Sequence, residues 1–130
     1  MVIDSSALVA ILMGESEAGR MAVALARDPK RLVAAVSVLE TAMVLETKKG
    51  PAGGREVDLL LHHARIEVVA MSVDQVQLAR QAWLRFGKGR HPAGLNLGDC
   101  CSYALAVHSG EPLLFKGADF NHTDVAQAAW

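Results

Sequence analysis

The sequence has little of what would hold a chain together without a hydrophobic core. Its only two cysteines, Cys100 and Cys101, are adjacent, so they would point in different directions on a helix and make a poor disulfide pair. No second Cys pair or Cys/His spacing is present from which a zinc site could be built. We therefore expect both thiols to be buried as small apolar side chains.

Long apolar runs and a strong net charge are also absent. The longest apolar run covers Ala7 to Met13, far short of the roughly 20 residues that a membrane-spanning helix needs. Asp4 interrupts the N-terminal region before the apolar core of a signal peptide can form, which favours a cytoplasmic protein with no membrane partner. The formal net charge is −1, so the overall charge does not indicate a nucleic-acid-binding protein.

What the sequence does contain is an alternation of strand-like and helix-like segments. Its 130 residues, of which 52% are hydrophobic, predict one globular domain, 1–130. Strands are predicted at Met1–Ile3, Arg31–Val36, Ile66–Met71 and Pro112–Phe115, with a short fifth at Thr123–Ala126. Helices are predicted over 6–13, 16–27, 37–48, 55–64, 72–86 and 97–108. This order predicts an α/β fold, with a mostly parallel central sheet of four to five strands flanked by helices.

Four acidic residues lie where the predicted strands end or where a neighbouring helix begins. Asp4 follows the first strand, Glu40 lies near the start of the helix after the second strand, and Asp119 follows the fourth. Asp99 lies in the first turn of the helix opened by L-N-L-G-D-C-C. Because the carboxyl ends of parallel strands share one edge of the sheet, we expect these acids to converge there.

Converging carboxylates repel one another unless a cation neutralises them. Mg²⁺ prefers oxygen ligands and commonly takes one or two carboxylates directly while it keeps several waters. Mn²⁺ accepts the same ligands. Such a site can activate a water molecule and stabilise negative charge on a phosphoryl group. The acids therefore predict a Mg²⁺ or Mn²⁺ site suited to phosphodiester chemistry.

Each acid also has a purely local structural explanation. An acid near a helix start can cap the helix or interact favourably with its dipole, and an acid after a glycine can be an ordinary turn residue. A capping role is compatible with a metal site, because a capped helix holds its acid rigidly. The local alternatives are capping by Asp4, capping boxes in Ser37–Glu40 and Asn96–Asp99, and a turn at Asp119.

Four motifs occur in a characteristic order: D-S-S-A-L at the start, S-x-x-E near residue 40, L-N-L-G-D-C, and L-L-F-K-G-A-D-F-x-x-T-D-V near the end. In this order and spacing they resemble the PIN-domain ribonucleases, and most closely the VapC toxins of bacterial type II toxin–antitoxin pairs. The resemblance extends from Met1 to about Ala126. It implies a PIN-like domain and a Mg²⁺- or Mn²⁺-dependent endoribonuclease that cleaves RNA phosphodiester bonds and thereby inhibits translation and growth.

The resemblance also implies roles for individual residues. Asp4 and Asp99 would be the principal metal ligands, and Glu40 and Asp119 would complete the catalytic pocket. A hydroxyl group beside the first acid, from Ser5 or Ser6, would support the site. The last motif has Ala118 where relatives often have a polar residue, so Asp124 is an alternative to Asp119. The simpler role for Asp124 is to order the terminal segment.

Partners are implied in the same way. Members of the family pair with a cognate VapB-like antitoxin, whose tail fills the groove and often places a basic side chain against the acids. Homodimers are usual among them. The apolar helix sequence S-A-L-V-A-I-L-M fits a buried core and an interface equally well.

Basic residues are candidates for contacts with RNA phosphates, which would position the strand without reading its sequence. Two Gly-rich stretches, interpreted as loops, carry or adjoin these candidates; the alternative is that they are ordinary solvated charges. The candidates are Lys48, Lys49, Arg55, Lys88 and Arg90. Trp83 and Phe86, three residues apart on one predicted helix, are interpreted as core residues rather than base-stacking platforms. His122, the only histidine near an acid motif, is interpreted as a surface residue.

Three other functions match the residues less well. A Mg²⁺-binding receiver-like signalling domain needs an acid pair after strand one, but this chain has one acid followed by Ser5 and Ser6; Asp74 and Lys116 match its other positions only loosely. A phosphatase with an aspartyl nucleophile needs a second acid at the position of Ser6. The nearest alternative is a PIN nuclease that processes RNA outside a toxin–antitoxin pair.

Overall fold

The computed structural model describes residues 1–130 and contains four strands, six α-helices and one 3₁₀ turn. The strands are β1 (Val2–Ile3), β2 (Leu32–Ala34), β3 (Glu67–Val69) and β4 (Leu113–Leu114). The helices are α1 (Ser5–Leu12), α2 (Ala18–Arg27), α3 (Ala35–Lys49), α4 (Pro51–His63), α5 (Val73–Phe86) and α6 (Leu97–Ser109). The 3₁₀ turn covers Asp119–His122. The predicted α/β fold with a parallel central sheet is confirmed.

All the strands are parallel and lie in the order β3-β2-β1-β4. The chain therefore moves outward in one direction from β1 to β2 and β3, and then returns to add β4 on the other side of β1. The strand order reverses between β1 and β4, and ligands of open α/β sheets bind at the carboxyl ends of the strands at such a point. This geometry places the end of β1 at the centre of the candidate site.

The sheet separates two hydrophobic cores, because successive residues of a strand point to opposite faces. Val2 and Leu113 pack into the core beneath α5 and α6. Ile3 and Leu114 pack into the core on the other face, together with residues of α1 and α2. Both faces are covered, which explains why the central strands are apolar at every position rather than at alternate ones.

The helix that carries Glu40 begins earlier than predicted, and the reason changes the interpretation of Ser37. Helix α3 follows β2 directly, with Ala34 at the N-cap and no side-chain cap. Ser37 is therefore inside the helix and completely buried, so the predicted Ser37–Glu40 capping box is wrong. The capping box of Asn96 and Asp99 at the start of α6, in contrast, is confirmed by hydrogen bonds in both directions.

The Gly-rich stretch after Lys49 is helical, although the sequence predicted a loop. Helix α4 begins at Pro51, a favoured residue for a first helical turn. A Cβ atom on Gly53 would collide with the backbone carbonyl of Leu45, so this glycine allows α3 and α4 to pack closely. Gly53 and Gly54 therefore lie within a helix, and only Gly50, with a φ of +68°, forms the turn between α3 and α4.

One strand prediction needs correction. Thr123–Ala126 does not form a fifth strand; the terminal segment makes only an isolated bridge between Leu113 and Gln127. The strand predicted at Ile66–Met71 is present as β3, which lies at the edge of the sheet and is largely exposed.

The remaining fold-level predictions concern particular side chains. Cys100 and Cys101 are free and buried, as expected. Phe86 is buried, but the prediction that Trp83 is a core residue is wrong, because 42% of it is exposed. Among the helices, none has the length and hydropathy needed to span a membrane.

Candidate active site

Asp4 follows β1 directly and is the N-cap of α1, so it has both the local role and the position predicted for it. Its Oδ2 accepts hydrogen bonds from the backbone N–H of Ser6 (3.0 Å) and from the Ser6 hydroxyl (2.6 Å). Its Oδ1 accepts a hydrogen bond of 2.6 Å from the hydroxyl of Ser102. Only 2% of Asp4 is exposed, so its carboxylate has a fixed orientation at the end of the central strand.

Asp99 is held by the first turn of α6. The N–H of Asn96 donates to Asp99 Oδ2 (3.1 Å), and the N–H of Asp99 donates to Asn96 Oδ1 (2.9 Å). Burial raises the pKa of Asp99 to about 6, and negative charges on neighbouring carboxylates act in the same direction. These neighbours are Asp4, Asp119 and Glu40. The pKa shift therefore indicates that the four acids share one electrostatic environment.

Glu40 extends from α3 towards the same place. Burial raises its pKa, and the charge of Asp4 raises it further, while the Ser5 hydroxyl acts in the opposite direction. Its Oε1 is buried and has no hydrogen-bond partner in the protein. A Cβ atom on Gly98 would collide with this carboxylate, so the glycine leaves the room that Glu40 occupies beside α6.

A cavity of about 460 Å³ joins these groups at the carboxyl edge of the sheet. Lys116 is the only cation in its lining, and its side chain forms ion pairs with Glu15 and, at 3.4 Å, with Glu17. The charge of Lys116 is therefore balanced by Glu15 and Glu17. The acids that line it are Asp4, Glu15, Glu40 and Asp99.

The loop after β4 is tied to the first acid through Ser6. The backbone N–H of Lys116 donates to the Ser6 hydroxyl (3.0 Å), and that hydroxyl donates to Asp4. Ser6 thus links the ends of the two strands between which the strand order reverses. Ser5 and Ser6 both lie in the lining of the cavity.

The two candidates for the last acid differ in their surroundings. Asp119 is exposed at the start of the 3₁₀ turn and is outside the cavity lining, although its charge reaches Asp99. Asp124 accepts hydrogen bonds from the Tyr103 hydroxyl (2.6 Å) and from Arg85 (2.9 Å). The Tyr103 hydrogen bond is the main reason why the pKa of Asp124 is lowered. Asp124 therefore orders the terminal segment, and Asp119 is the acid electrostatically coupled to the cavity.

The residues around the cavity fit a hard divalent cation such as Mg²⁺. No three His, Cys, Asp or Glu side chains are arranged closely enough to hold a metal ion as they stand. Mg²⁺ does not need such a cage, because it takes one or two carboxylates and keeps several waters. The donors are all oxygens, Glu40 has an unpartnered buried Oε1, and Asp99 has a raised pKa. A nearby cation would give Glu40 Oε1 a partner and would lower the pKa of Asp99.

The predicted RNA-contacting residues are not equivalent. Lys49 pairs with Glu56 (2.8 Å) and reaches the carbonyl of Leu12, and the guanidinium of Arg90 stacks 4.1 Å from the Trp83 ring centre. The other three, Lys48, Arg55 and Lys88, are exposed and form no ion pair.

Sequence reasoning missed Gly98 and Ser102, which lie against the acids, and Ser37, which contacts Ser102. Ser102 bonds directly to Asp4, and the Ser37 hydroxyl lies 3.0 Å from the Ser102 hydroxyl. The available signal was weak: Ser102 lies three residues after Asp99, but nothing local indicates that it reaches back to the first strand. His122 is exposed, as predicted.

Comparison with known proteins identifies relatives over nearly the whole chain. The model of the PIN domain family matches residues 1–126. Ribonuclease VapC30 of Mycobacterium tuberculosis is 56% identical over 129 residues, which covers 99% of this chain and 98% of the relative. A ribonuclease VapC of Mycolicibacterium smegmatis is 58% identical over 126 residues, covering 97% of this chain and 98% of the relative.

Solved structures share the fold at much lower sequence identity. VapC20 of Mycobacterium tuberculosis, a toxin that cleaves the sarcin–ricin loop, is 16% identical with a TM-score of 0.78, covering 97% of this chain and 96% of that one. VapBC2 of Rickettsia felis, solved with a fragment of its promoter DNA, has 13% identity and a TM-score of 0.76, with coverages of 99% and 97%. At these identities the likeness establishes the fold.

Proposed function

The chain belongs to the PIN-domain family and, within it, to the VapC ribonucleases, and from this premise we propose that it cleaves RNA with a divalent cation held by its acidic cavity. It is accordingly the endoribonuclease toxin of a type II toxin–antitoxin pair, and we expect cleavage of cellular RNA to inhibit translation and growth.

One observation carries the metal proposal: the carboxylates of Asp4, Glu40 and Asp99 face one cavity, and the single basic side chain in its lining, Lys116, is paired with Glu15 and Glu17 instead. Asp4 and Asp99 are the proposed direct ligands. Glu40, with its unpartnered Oε1, and Asp119, farther out, would complete the site through water. Mg²⁺ is the expected ion, and Mn²⁺ accepts the same ligands.

When bound, a divalent cation would lower the pKa of water and stabilise negative charge on the scissile phosphoryl group. The protein supplies the fixed geometry. Ser6 and the capped start of α1 hold Asp4, and the capping box of α6 holds Asp99. Glu40 lies beside them with a raised pKa, which suits a group that accepts a proton from an attacking water.

The RNA strand needs positive charge near an acidic edge. We propose that exposed Lys48, Arg55 and Lys88 contact phosphates directly. Lys49 and Arg90 would first have to leave Glu56 and Trp83, respectively, so we assign them a smaller contribution. Contacts of this kind raise affinity without reading sequence.

The decisive experiment uses end-labelled single-stranded RNA and the purified chain with Mg²⁺, with Mn²⁺, or with EDTA. Asp99→Asn is compared with Asp74→Asn, because Asp74 occupies the first turn of α5 as Asp99 does in α6 but is outside the cavity. We expect cleavage with either metal in the wild type and in Asp74→Asn, and none in EDTA or in Asp99→Asn. Cleavage by Asp99→Asn, or cleavage that persists in EDTA, would refute the metal–carboxylate site.

The proposed antitoxin is a VapB-like protein that places a basic side chain against the acids. The carboxylates at the cavity provide the complementary charge. If the antitoxin gene lies immediately upstream, co-expression should relieve growth arrest and yield a stable complex in which RNA cleavage is suppressed. Growth that is unaffected when the chain is expressed alone would contradict the toxin role.

We also propose a homodimer, formed through an exposed apolar face of α5 and the start of α6. A groove of about 580 Å³ there is lined almost entirely by apolar side chains, with Arg80 as the one charged residue. A face of this kind, carrying almost no charge, can pack against its own copy across a two-fold axis. Its exposed members are Met71, Val76, Trp83, Leu84 and Leu97.

The homodimer is tested by sedimentation equilibrium. Leu84→Glu should convert the protein to monomers, whereas Leu59→Glu, an equally exposed leucine on α4, should not. A monomeric wild type would refute this assignment.

We place the activity in the cytoplasm, where RNA is abundant and where two free thiols remain reduced.

A further inference from the structure

Two buried serines lie behind Asp4, between α3 and α6. The Ser102 hydroxyl is 2.6 Å from Asp4 Oδ1, and the Ser37 hydroxyl is 3.0 Å from that of Ser102. Both serines are completely buried. A carboxylate only accepts hydrogen bonds, so Ser102 must donate its single proton to Asp4. Ser37 must then donate to Ser102, which gives a directed chain from Ser37 through Ser102 to Asp4.

Three hydroxyls elsewhere in the helices make only local hydrogen bonds. Thr41, Thr47 and Ser109 each donate to the carbonyl of the residue four positions earlier, as hydroxyl groups in helices commonly do. Ser37 and Ser102 instead reach across the interface between α3 and α6. Their hydroxyls therefore contribute a contact between elements rather than a local one.

The hydrogen bonds of Asp4 leave one acceptor position free. A carboxylate has about four lone-pair positions. The N–H and hydroxyl of Ser6 take two of them on Oδ2, and Ser102 takes one on Oδ1. Within the protein, the position left over is therefore on Oδ1, the atom whose direction Ser102 sets.

We propose that Ser102, supported by Ser37, is a positioning residue that presents Oδ1 of Asp4 to the divalent cation. The inference rests on the proposed function, since it assigns an orientation to a ligand of the proposed metal. Without the Ser102 hydroxyl, Oδ1 loses its only donor, and the carboxylate is held only by Ser6. Partners that orient a ligand in this way commonly affect metal affinity or activity by roughly 10- to 100-fold.

The test measures Mn²⁺ binding without RNA, by electron paramagnetic resonance, in Ser102→Ala, Ser37→Ala and the double variant. Ser109→Ala is the matched control, a serine in the same helix that bonds only to backbone carbonyls. We expect Mn²⁺ affinity to fall about tenfold in Ser102→Ala, less in Ser37→Ala, and not in Ser109→Ala. The double variant should match Ser102→Ala, because Ser37 acts only through Ser102.

Kinetics at saturating metal separate positioning from general damage. We expect kcat of Ser102→Ala to fall while KM for RNA is unchanged, because the RNA-binding surface is intact. Wild-type Mn²⁺ affinity and kcat in folded Ser102→Ala would refute the positioning role, as would equal losses in Ser109→Ala. If Ser102→Ala does not fold, the measurement is made on Ser37→Ala. Wild-type Mn²⁺ affinity in that variant would refute the role of the two serines in positioning Asp4. A wild type that cleaves RNA without binding Mn²⁺ or Mg²⁺ would instead overturn the proposed metal site itself.

Discussion

Two carboxylate sites border helix α6, and they differ in whether a basic side chain forms an ion pair with the acid. At the start of the helix, Asp99 lies among other acids, and burial raises its pKa to about 6. Farther along, Asp124 is bonded to Tyr103 and paired with Arg85, and its pKa is lowered. The paired acid is satisfied within the protein and holds the structure together. The acids at the start of the helix have no basic partner, so the protein balances their negative charge less fully than that of Asp124, and perturbed carboxylates of this kind are typical of functional sites.

The same substitution, Asp→Asn, should have opposite consequences in the two sites. Asp4→Asn should reduce RNA cleavage by at least about 100-fold, because an amide neither matches the two Ser6 donors nor binds a cation as a carboxylate does. Asp124→Asn should leave cleavage near the wild-type rate and lower the free energy of unfolding by roughly 1 kcal/mol, since its ion pair with Arg85 is exposed. Cleavage rates and urea unfolding measure both effects. Equal loss of activity in the two variants would show that the distinction is wrong.

The room left by Gly98 provides a second test. Gly98→Ala would drive a methyl group into the Glu40 carboxylate, so we expect cleavage to fall by about 10-fold or more. Gly19→Ala is the control, because this glycine is also helical but has open space where the Cβ would be. It should stabilise α2 by about 0.5–1 kcal/mol without changing activity. Wild-type activity in Gly98→Ala would mean that the position of Glu40 is unimportant.

The raised pKa of Asp99 should make the stability of the folded protein depend on pH. The pKa of Asp99 rises from 3.8 in the unfolded chain to about 6 in the folded protein, so the folded state binds the proton more tightly. In EDTA, this group should therefore make the protein less stable as pH rises from about 4 to 6, with the full penalty above pH 6. Asp99→Asn should remove that decline, and Mg²⁺ should reverse it in the wild type. Thermal unfolding at pH 4.5 and 7.5 tests this; identical pH profiles for wild type and variant would contradict it.

Free and paired basic residues should differ slightly in how much each contributes to RNA binding. Lys48→Ala should weaken RNA binding and reduce the slope of log affinity against log salt by roughly 1, because Lys48 is exposed and unpaired. Lys49→Ala should change that slope less and instead remove the ion pair with Glu56. Fluorescence anisotropy across a salt series provides the measurement. A larger slope change for Lys49 would reverse the assignment.

Local sequence patterns predict the succession of strands and helices, the positions of the acids after the strands, and the capping of α6 by Asn96 and Asp99. These depend on local rules: apolar runs, helix caps and the order of elements along the chain. The wrong predictions were also local in origin. Ser37 matched a capping box, and the stretch after Lys49 matched a loop, yet Ser37, Gly53 and Gly54 all lie within helices.

Which side chains meet in the site depends on the packing of the whole chain. Ser102 reaches Asp4 across 98 positions of the chain, and Glu40 fits beside α6 only because Gly98 has no side chain. No local pattern predicts that Trp83 is exposed or that Asp124 accepts a hydrogen bond from Tyr103. Such contacts depend on the strand order β3-β2-β1-β4, which brings distant segments to one edge of the sheet. Helix caps and apolar runs act over a few residues, whereas the burial and charge of a site arise from all the segments that surround it.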